Sequence, residues 1–328
     1  MNKQFIKLIL KTLLLVIILW GIFAFFIHNF QMYIYDGEYA SYKESLDYIK
    51  NTNEYNDVII CGDSVAKSAI IPTEISDKTY TIAMPGTSAI EQYYFIEDYL
   101  ENHEKPKTII MMYSMTGYSQ DIIDRFFWNR SIYFNCITNE QFFEIMKTGL
   151  FPEPMKAIWN YFQYKTYMPT KYYAALKNSI EQRRYETNID RYDYNREHKG
   201  QQYFGIEKEN VPNNADISNM TEFKVLPIID YYLNKIIELC KENDIQFILL
   251  QNPINFSTYT NSKDKFRIEF TEYMENLEEK HEGIIVDPNI TVADNSWFGD
   301  FVHLNPHGAT QFTTQIKEKY PEYLYITK

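Results

Sequence analysis

The sequence predicts a three-layer α/β/α domain on a five-stranded parallel sheet, and three patterns predict it. Five short apolar runs, at residues 57–60, 79–83, 108–113, 245–250 and 283–286, alternate with amphipathic helical stretches. Strands that alternate with helices in this way indicate a parallel sheet with helices on both faces. The chain has 328 residues, enough for one large domain with an insertion. The strand–helix rhythm breaks once after its start, between Tyr118 and about Asn219.

The amino terminus stands apart from that rhythm. Leu8 to Ile27 is apolar except for Lys11 and Thr12. Twenty helical residues span about 30 Å, the thickness of a bilayer core. Lys3, Lys7 and Lys11 lie before or at the start of the run, which keeps the amino terminus cytoplasmic by the positive-inside rule. Residues 1–30 therefore read as an uncleaved membrane anchor. A cleaved signal peptide is the alternative; Phe25-Phe26-Ile27-His28-Asn29-Phe30 lacks its small-residue cleavage pattern. An anchor in this orientation makes the protein single-pass, with everything after it outside the cytoplasmic membrane.

Residues 31–117 form the first half of the α/β domain. Asp36 to Asn53 reads as a helix with Tyr42, Leu46 and Ile49 on one side. Strand one follows and ends in Cys61-Gly62-Asp63-Ser64. A helix starting at this serine would aim its amino terminus at developing negative charge, with Lys67 and Ser68 as exposed positions. Strand two leads into Met84-Pro85-Gly86-Thr87-Ser88. Ser88 and Glu91 make a capping box for a helix from Ala89 to about Asn102. Strand three, Thr108 to Tyr113, exits into Ser114-Met115-Thr116-Gly117.

Residues 118–219 are dense in aromatics, including Phe126-Phe127-Trp128, Trp159, Phe162 and Tyr172-Tyr173. Asn139 to Thr148 and Tyr172 to Glu186 read as helices. A hundred residues are too many for a structureless loop in a compact domain, so this stretch is expected to be a helical cap. A glycan groove, a membrane-facing surface and a purely stabilising role are all open to it.

Residues 220–328 complete the domain. Thr221 to Asn243 has a helical apolar stripe that Pro227 should kink or delay. Strand four opens on Gln251-Asn252-Pro253, where Asn252 reads either as a substrate contact or as a turn residue. A helix from Lys263 to Lys280 and strand five follow. The last motif is Gly299-Asp300-Phe301-Val302-His303-Leu304-Asn305-Pro306-His307-Gly308. Asn305 and Pro306 suit a helix start, and Pro306 to Tyr320 reads as the closing helix.

Gly-Asp-Ser alone is also how turns and helix caps are written. Read with Asp-x-x-His it gains meaning. A carboxylate can hold an imidazole in one tautomer while the other ring nitrogen takes a serine proton. Asp294 is the rival carboxylate, and Asp300 is preferred on spacing. Together the two ends resemble the SGNH/GDSL hydrolase superfamily, with Ser64, Asp300 and His303 at the matching positions. Asp-Phe-Val-His-Leu-Asn is most similar to its membrane-anchored bacterial branch, which includes the D-alanyl-lipoteichoic acid biosynthesis protein D family. The resemblance implies a flavodoxin-like strand order, 2-1-3-4-5. It implies an oxyanion donor at Gly86. It also implies an asparagine after strand three, which this chain replaces with Ser114 and Thr116.

A formal charge of −12 argues against a nucleic-acid surface, which needs basic residues to neutralise phosphates. Three widely spaced cysteines make neither a disulfide framework nor a metal pattern, and His303 with His307 straddles a proline. No metal or cofactor is therefore expected. The expected activity is that of an extracytoplasmic serine esterase or O-acyltransferase on a cell-envelope polymer, a glycan or teichoic acid, moving acetyl or D-alanyl groups. The resemblance implies a membrane-bound O-acyltransferase as partner. The alternative is a non-catalytic envelope protein that binds a glycan or that partner.

Overall fold

The computed structural model describes residues 3–205 and 211–324. The chain divides into two compact units, residues 1–40 with 152–191 and residues 41–151 with 192–328. The larger unit is the α/β domain. Its sheet has five parallel strands in the order β2-β1-β3-β4-β6, formed by β1 (Val58–Gly62), β2 (Thr79–Thr81), β3 (Thr108–Tyr113), β4 (Gln246–Gln251) and β6 (Ile285–Val286). Counted along the sheet this is the 2-1-3-4-5 order. Val58 stands opposite Thr79 on one side and Thr108 on the other, and Thr108 pairs in turn with Gln246. All residues of β1 and β3 are buried, as the unbroken apolar runs require.

Alternation along the strands sorts the core into two layers. Val58, Ile60, Ile110, Met112, Ile248 and Leu250 pack with Val65, Ala69, Phe312 and Ile316 from helices Ser64–Ala69 and Pro306–Lys319. Helices Ala89–Asn102 and Pro227–Glu242 pack together on the other face. Ser88 and Glu91 form the expected capping box. Pro227 occupies the first turn of its helix, so the helix starts there and not at Thr221.

Three features differ from the sequence reading. A second, two-stranded parallel sheet pairs β5 (Ile254–Asn255) with β7 (Val292–Ala293). The expected helix at 172–186 is two helices, Pro169–Gln182 and Arg184–Glu197, broken where Arg183 takes a left-handed φ of 47°. Lys67 and Ser68 are not exposed; both have no accessible surface. Their helix is a single short segment held between strands β1 and β3 and helix Pro306–Lys319, so every residue of it after Ser64 is buried. The Lys67 ammonium donates to the Ala83 carbonyl at 3.1 Å and to Ser45 Oγ at 3.4 Å. Burial pushes it down to about 8, against the pull of the Glu44 carboxylate. Glu44 is itself buried and accepts from the Tyr80 hydroxyl.

The smaller unit contains helix Lys3–Asn29, which is long and apolar enough to cross a membrane; an anchor and a signal sequence share that character. Helix Pro169–Gln182 packs beside it, and helix Pro154–Lys165 belongs to the same unit. Trp20 Nε1 donates to the Thr166 carbonyl at 2.9 Å, and the rings of Tyr33 and Tyr185 stack at 4.0 Å. The three cysteines, Cys61, Cys136 and Cys240, lie in the larger unit, and all are buried.

Candidate active site

The site begins with a backbone requirement. Gly62 closes β1 with φ +126°, and a Cβ there would stand 1.9 Å from the Met112 carbonyl oxygen. Only glycine fits this turn between two adjacent strands. The chain then reverses into helix Ser64–Ala69. Asp63 caps it, accepting from the Val65 N–H at 2.9 Å. Ser64 is thereby the first helical residue, at the carboxyl edge of the sheet. The helix has six residues, so its contribution is local N–H groups rather than a long macrodipole.

The opposite wall is the loop before helix Pro306–Lys319. An antiparallel bridge between Phe298 and Leu304 closes its neck. Inside, Asp300 Oδ1 accepts from the N–H groups of Val302 and His303 at 2.9 and 2.8 Å. Its other oxygen meets His303 Nδ1 at 2.8 Å, and His303 Nε2 meets Ser64 Oγ at 2.8 Å. The carboxylate holds the ring proton on Nδ1, so Nε2 is the nitrogen that accepts from the serine hydroxyl. Burial works to raise Asp300. The hydrogen bond and charge of His303 and the two backbone N–H groups outweigh it and hold the carboxyl at about 2. Asp294 is exposed and caps the turn at Ser296 instead.

Residues outside the relay fix its loop. Asn252 Nδ2 donates to the Val302 carbonyl at 3.1 Å, and Asn255 Nδ2 to the Phe301 carbonyl at 2.9 Å. Asn305 Nδ2 holds the Ser296 carbonyl at 2.8 Å, while its Oδ1 caps the closing helix at Gly308. The structure thus places Asn252 behind the Asp300–His303 loop, nearly fully buried, with its Oδ1 unpaired among the described residues. Phe204 covers the imidazole, its ring 4.7 Å from that of His303. Gly205 follows against the loop backbone, where a Cβ would stand 2.6 Å from the Gly299 carbonyl oxygen. The sequence reading missed Asn255, Phe204 and Gly205. Asn255 carries a signal, since it caps helix Phe256–Asn261 through the Thr258 N–H.

On the β2 side, the chain stays bonded to β1 beyond the strand itself. Ile82 N–H donates to the Ile60 carbonyl at 2.8 Å and Met84 N–H to the Gly62 carbonyl at 3.0 Å. Thr87 Oγ1 and Gln92 Nε2 reach the same Gly62 oxygen, each at 3.0 Å. These bonds tie the Gly86 turn to the residue two before Ser64. Gly86 has φ +70° and is covered by the Phe126 ring, 2.7 Å from where a Cβ would stand. Its N–H makes no hydrogen bond among the described residues.

Ser114 takes another position. Its N–H donates to Asp63 Oδ2 at 3.3 Å and its hydroxyl pairs with Thr116 Oγ1 at 3.0 Å. It braces the Ser64 turn through Asp63. Burial pushes the Asp63 carboxyl up to about 6, moderated by the N–H groups of Val65 and Ser114 and by His303.

The arrangement can take a proton from Ser64 and return it from the same nitrogen. A protein-family model matches residues 173–324, a stretch that holds Asp300, His303, Asn252 and Asn255 and begins after Ser64. No curated protein matches the chain.

Proposed function

We propose that the protein is a membrane-anchored, extracytoplasmic serine esterase or O-acyltransferase acting on a cell-envelope polymer. One observation carries the reading: an unbroken relay from Asp300 through both ring nitrogens of His303 to Ser64, with both links at 2.8 Å. Ser64 Oγ attacks the acyl carbonyl and its proton passes to His303 Nε2. The N–H groups of Ser64 and Gly86 hold the oxyanion. Collapse of the intermediate breaks the ester C–O bond, and the leaving alcohol takes the proton from Nε2. In the second half, an acceptor hydroxyl gives its proton to Nε2 and attacks the acyl-serine. Water as acceptor gives hydrolysis and a glycan or teichoic acid hydroxyl gives transfer.

The resemblance of the two end motifs to the membrane-anchored SGNH branch supports an envelope substrate, acetyl or D-alanyl as the group moved, and a membrane-bound O-acyltransferase as the donor partner. The apolar helix, with Lys3 and Lys7 in its first turns, supports the single-pass topology. A second reading, a binding platform without chemistry, draws on Ser114. It stands where the superfamily has its asparagine donor, and its N–H is spent on Asp63.

The deciding experiment is labelling of the full-length protein with a fluorophosphonate, followed by mass spectrometry of the adduct. An adduct on Ser64, absent in Ser64→Ala and strongly slowed in His303→Ala, is the expected result. A folded protein with an unmodified Ser64 would leave the binding platform standing.

A further inference from the structure

Helix Pro154–Lys165 is apolar on two opposite faces. Ala157, Tyr161 and Tyr164 are buried. Met155, Ile158, Trp159 and Phe162 recur at the i, i+3, i+4, i+7 spacing of a single stripe and are 78, 41, 57 and 49% exposed. The Trp159 and Phe162 rings stack, with centroids 5.9 Å apart. One face is thus committed to protein, and the other suits a second apolar phase.

Contacts within the smaller unit say which phase. The turn after this helix lies beside the apolar helix Lys3–Asn29: Thr166 accepts from Trp20, and the Tyr167 hydroxyl pairs with His28 Nδ1 at 2.7 Å. Trp20 precedes Asn29, the end of that helix, by nine residues. At the helical rise this is about 13 Å. Helix Pro169–Gln182 then runs back toward the carboxyl-terminal end of the apolar helix. Beyond it Arg184 Nη1 donates to the Ile34 carbonyl at 2.9 Å, and Asn188 Nδ2 donates to the Met32 carbonyl at 2.8 Å. The two helices form a hairpin with its turn alongside the apolar helix and its base beyond the end of that helix.

Charge points the same way. From its cap at Glu153 to Arg184 the hairpin holds Lys156, Lys165, Lys171, Lys177, Arg183 and Arg184 against Glu153, which pairs with Lys156 at 2.6 Å, and Glu181, a net +4 in a chain of −12. The two lysines nearest the turn have partners inside the hairpin. Lys171 Nζ donates to Asn160 Oδ1 at 2.7 Å and stands 4.8 Å from the Tyr164 ring, and Lys165 stands 5.4 Å from the Tyr161 ring. Lys156, Arg183 and Arg184 lie at the base, where head groups would meet them.

We propose that this hairpin is a second membrane-inserted element, dipping into the lipid leaflet at the carboxyl-terminal end of the apolar helix. Met155, Ile158, Trp159 and Phe162 lie against acyl chains, and the base cations lie against anionic head groups. The proposal rests on reading Lys3–Asn29 as membrane-spanning.

The test uses the full-length protein in vesicles of phosphatidylglycerol and phosphatidylcholine. Nitroxide labels are placed singly at Val16→Cys, Met155→Cys, Ile158→Cys, Phe162→Cys and Lys105→Cys, an exposed position of the larger unit. Relaxation by oxygen is compared with relaxation by a water-soluble nickel complex. The native cysteines are buried, and the unsubstituted chain is the labelling control. Oxygen preference should rise from Met155 through Ile158 to Phe162, match the sense of Val16 and be reversed at Lys105. Nickel preference at Ile158 and Phe162 beside oxygen preference at Val16 would overturn the hairpin alone and leave its stripe to a protein partner. Nickel preference at Val16 as well would overturn the anchor reading and the hairpin with it.

Discussion

The Asn252 side chain donates to the carbonyl of Val302, fifty positions away, and so holds the residue before His303 from behind. Asn255 does the same for Phe301, and its Oδ1 also caps a helix at the Thr258 N–H, 2.7 Å away. The two asparagines therefore differ in what their loss would leave unpaired. Asn255→Ala strands a buried N–H and a carbonyl, at a cost of about 2 to 4 kcal/mol. Asn252→Ala strands the carbonyls of Val302 and Pro253 but removes a buried, unpaired oxygen, and should cost about 1 to 2 kcal/mol. Urea denaturation of both variants tests the order, and fluorophosphonate labelling rates should fall in each.

Asp300 predicts a pH signature. Its carboxyl is held at about 2 in the folded chain, below the ordinary value of 3.8. A depressed carboxyl stabilises the fold above its unfolded pKa, and that stability is lost as pH falls toward 2. Asp300→Asn should cost about 1 to 2 kcal/mol at pH 7, discounted for partial exposure, and nothing below pH 2. Serine reactivity should fall by about 10³ to 10⁴-fold, because the neutral amide no longer fixes the imidazole tautomer. Equal loss of stability at pH 7 and pH 2 would contradict this account.

Lys67, in the helix that Ser64 begins, and Glu44 bury opposite charges. Removing one charge leaves the other uncompensated. Lys67→Met should destabilise by about 3 kcal/mol or more, and Glu44→Gln added to it should recover part of that loss. A double-mutant cycle by chemical denaturation measures the coupling; additive effects would show that the two charges do not feel each other.

Gly62→Ala meets both a left-handed φ and the Met112 carbonyl oxygen. The expected cost is about 3 kcal/mol or more, with loss of Ser64 labelling in whatever fraction still folds. Circular dichroism with thermal melting checks the first part, and adduct mass the second.

The sheet was legible because its strands are buried on both faces and its helices carry explicit caps. Ser88 with Glu91 and Pro227 mark helix starts by local chemistry alone. Asp300 and His303 lie three residues apart, a spacing visible in sequence, and the structure brings Ser64 to them from 239 positions away. What stayed hidden depends on long-range packing. Val-Ala-Lys-Ser reads as an ordinary helix with a solvent face, and the helix above it decides otherwise. Phe204 is one aromatic among many until the fold lays it on His303. Asn252 reads in sequence as a substrate contact or a turn residue, and only the loop in front of it decides which way its amide points. The β5–β7 pair spans two residues on each strand, too short for any periodicity to mark it.

The sheltered cysteines have a use of their own. Cys61 lies on interior strand β1 and Cys240 in a helix packed on the sheet, and burial pushes the Cys61 thiol far up and Cys240 up to about 12. Neither sulfur meets an oxidant or an alkylating reagent until its surroundings open. Alkylation rates at the two sites therefore act as built-in clocks, with Cys61 keeping time for the opening of the whole sheet and Cys240 for the lifting of one helix.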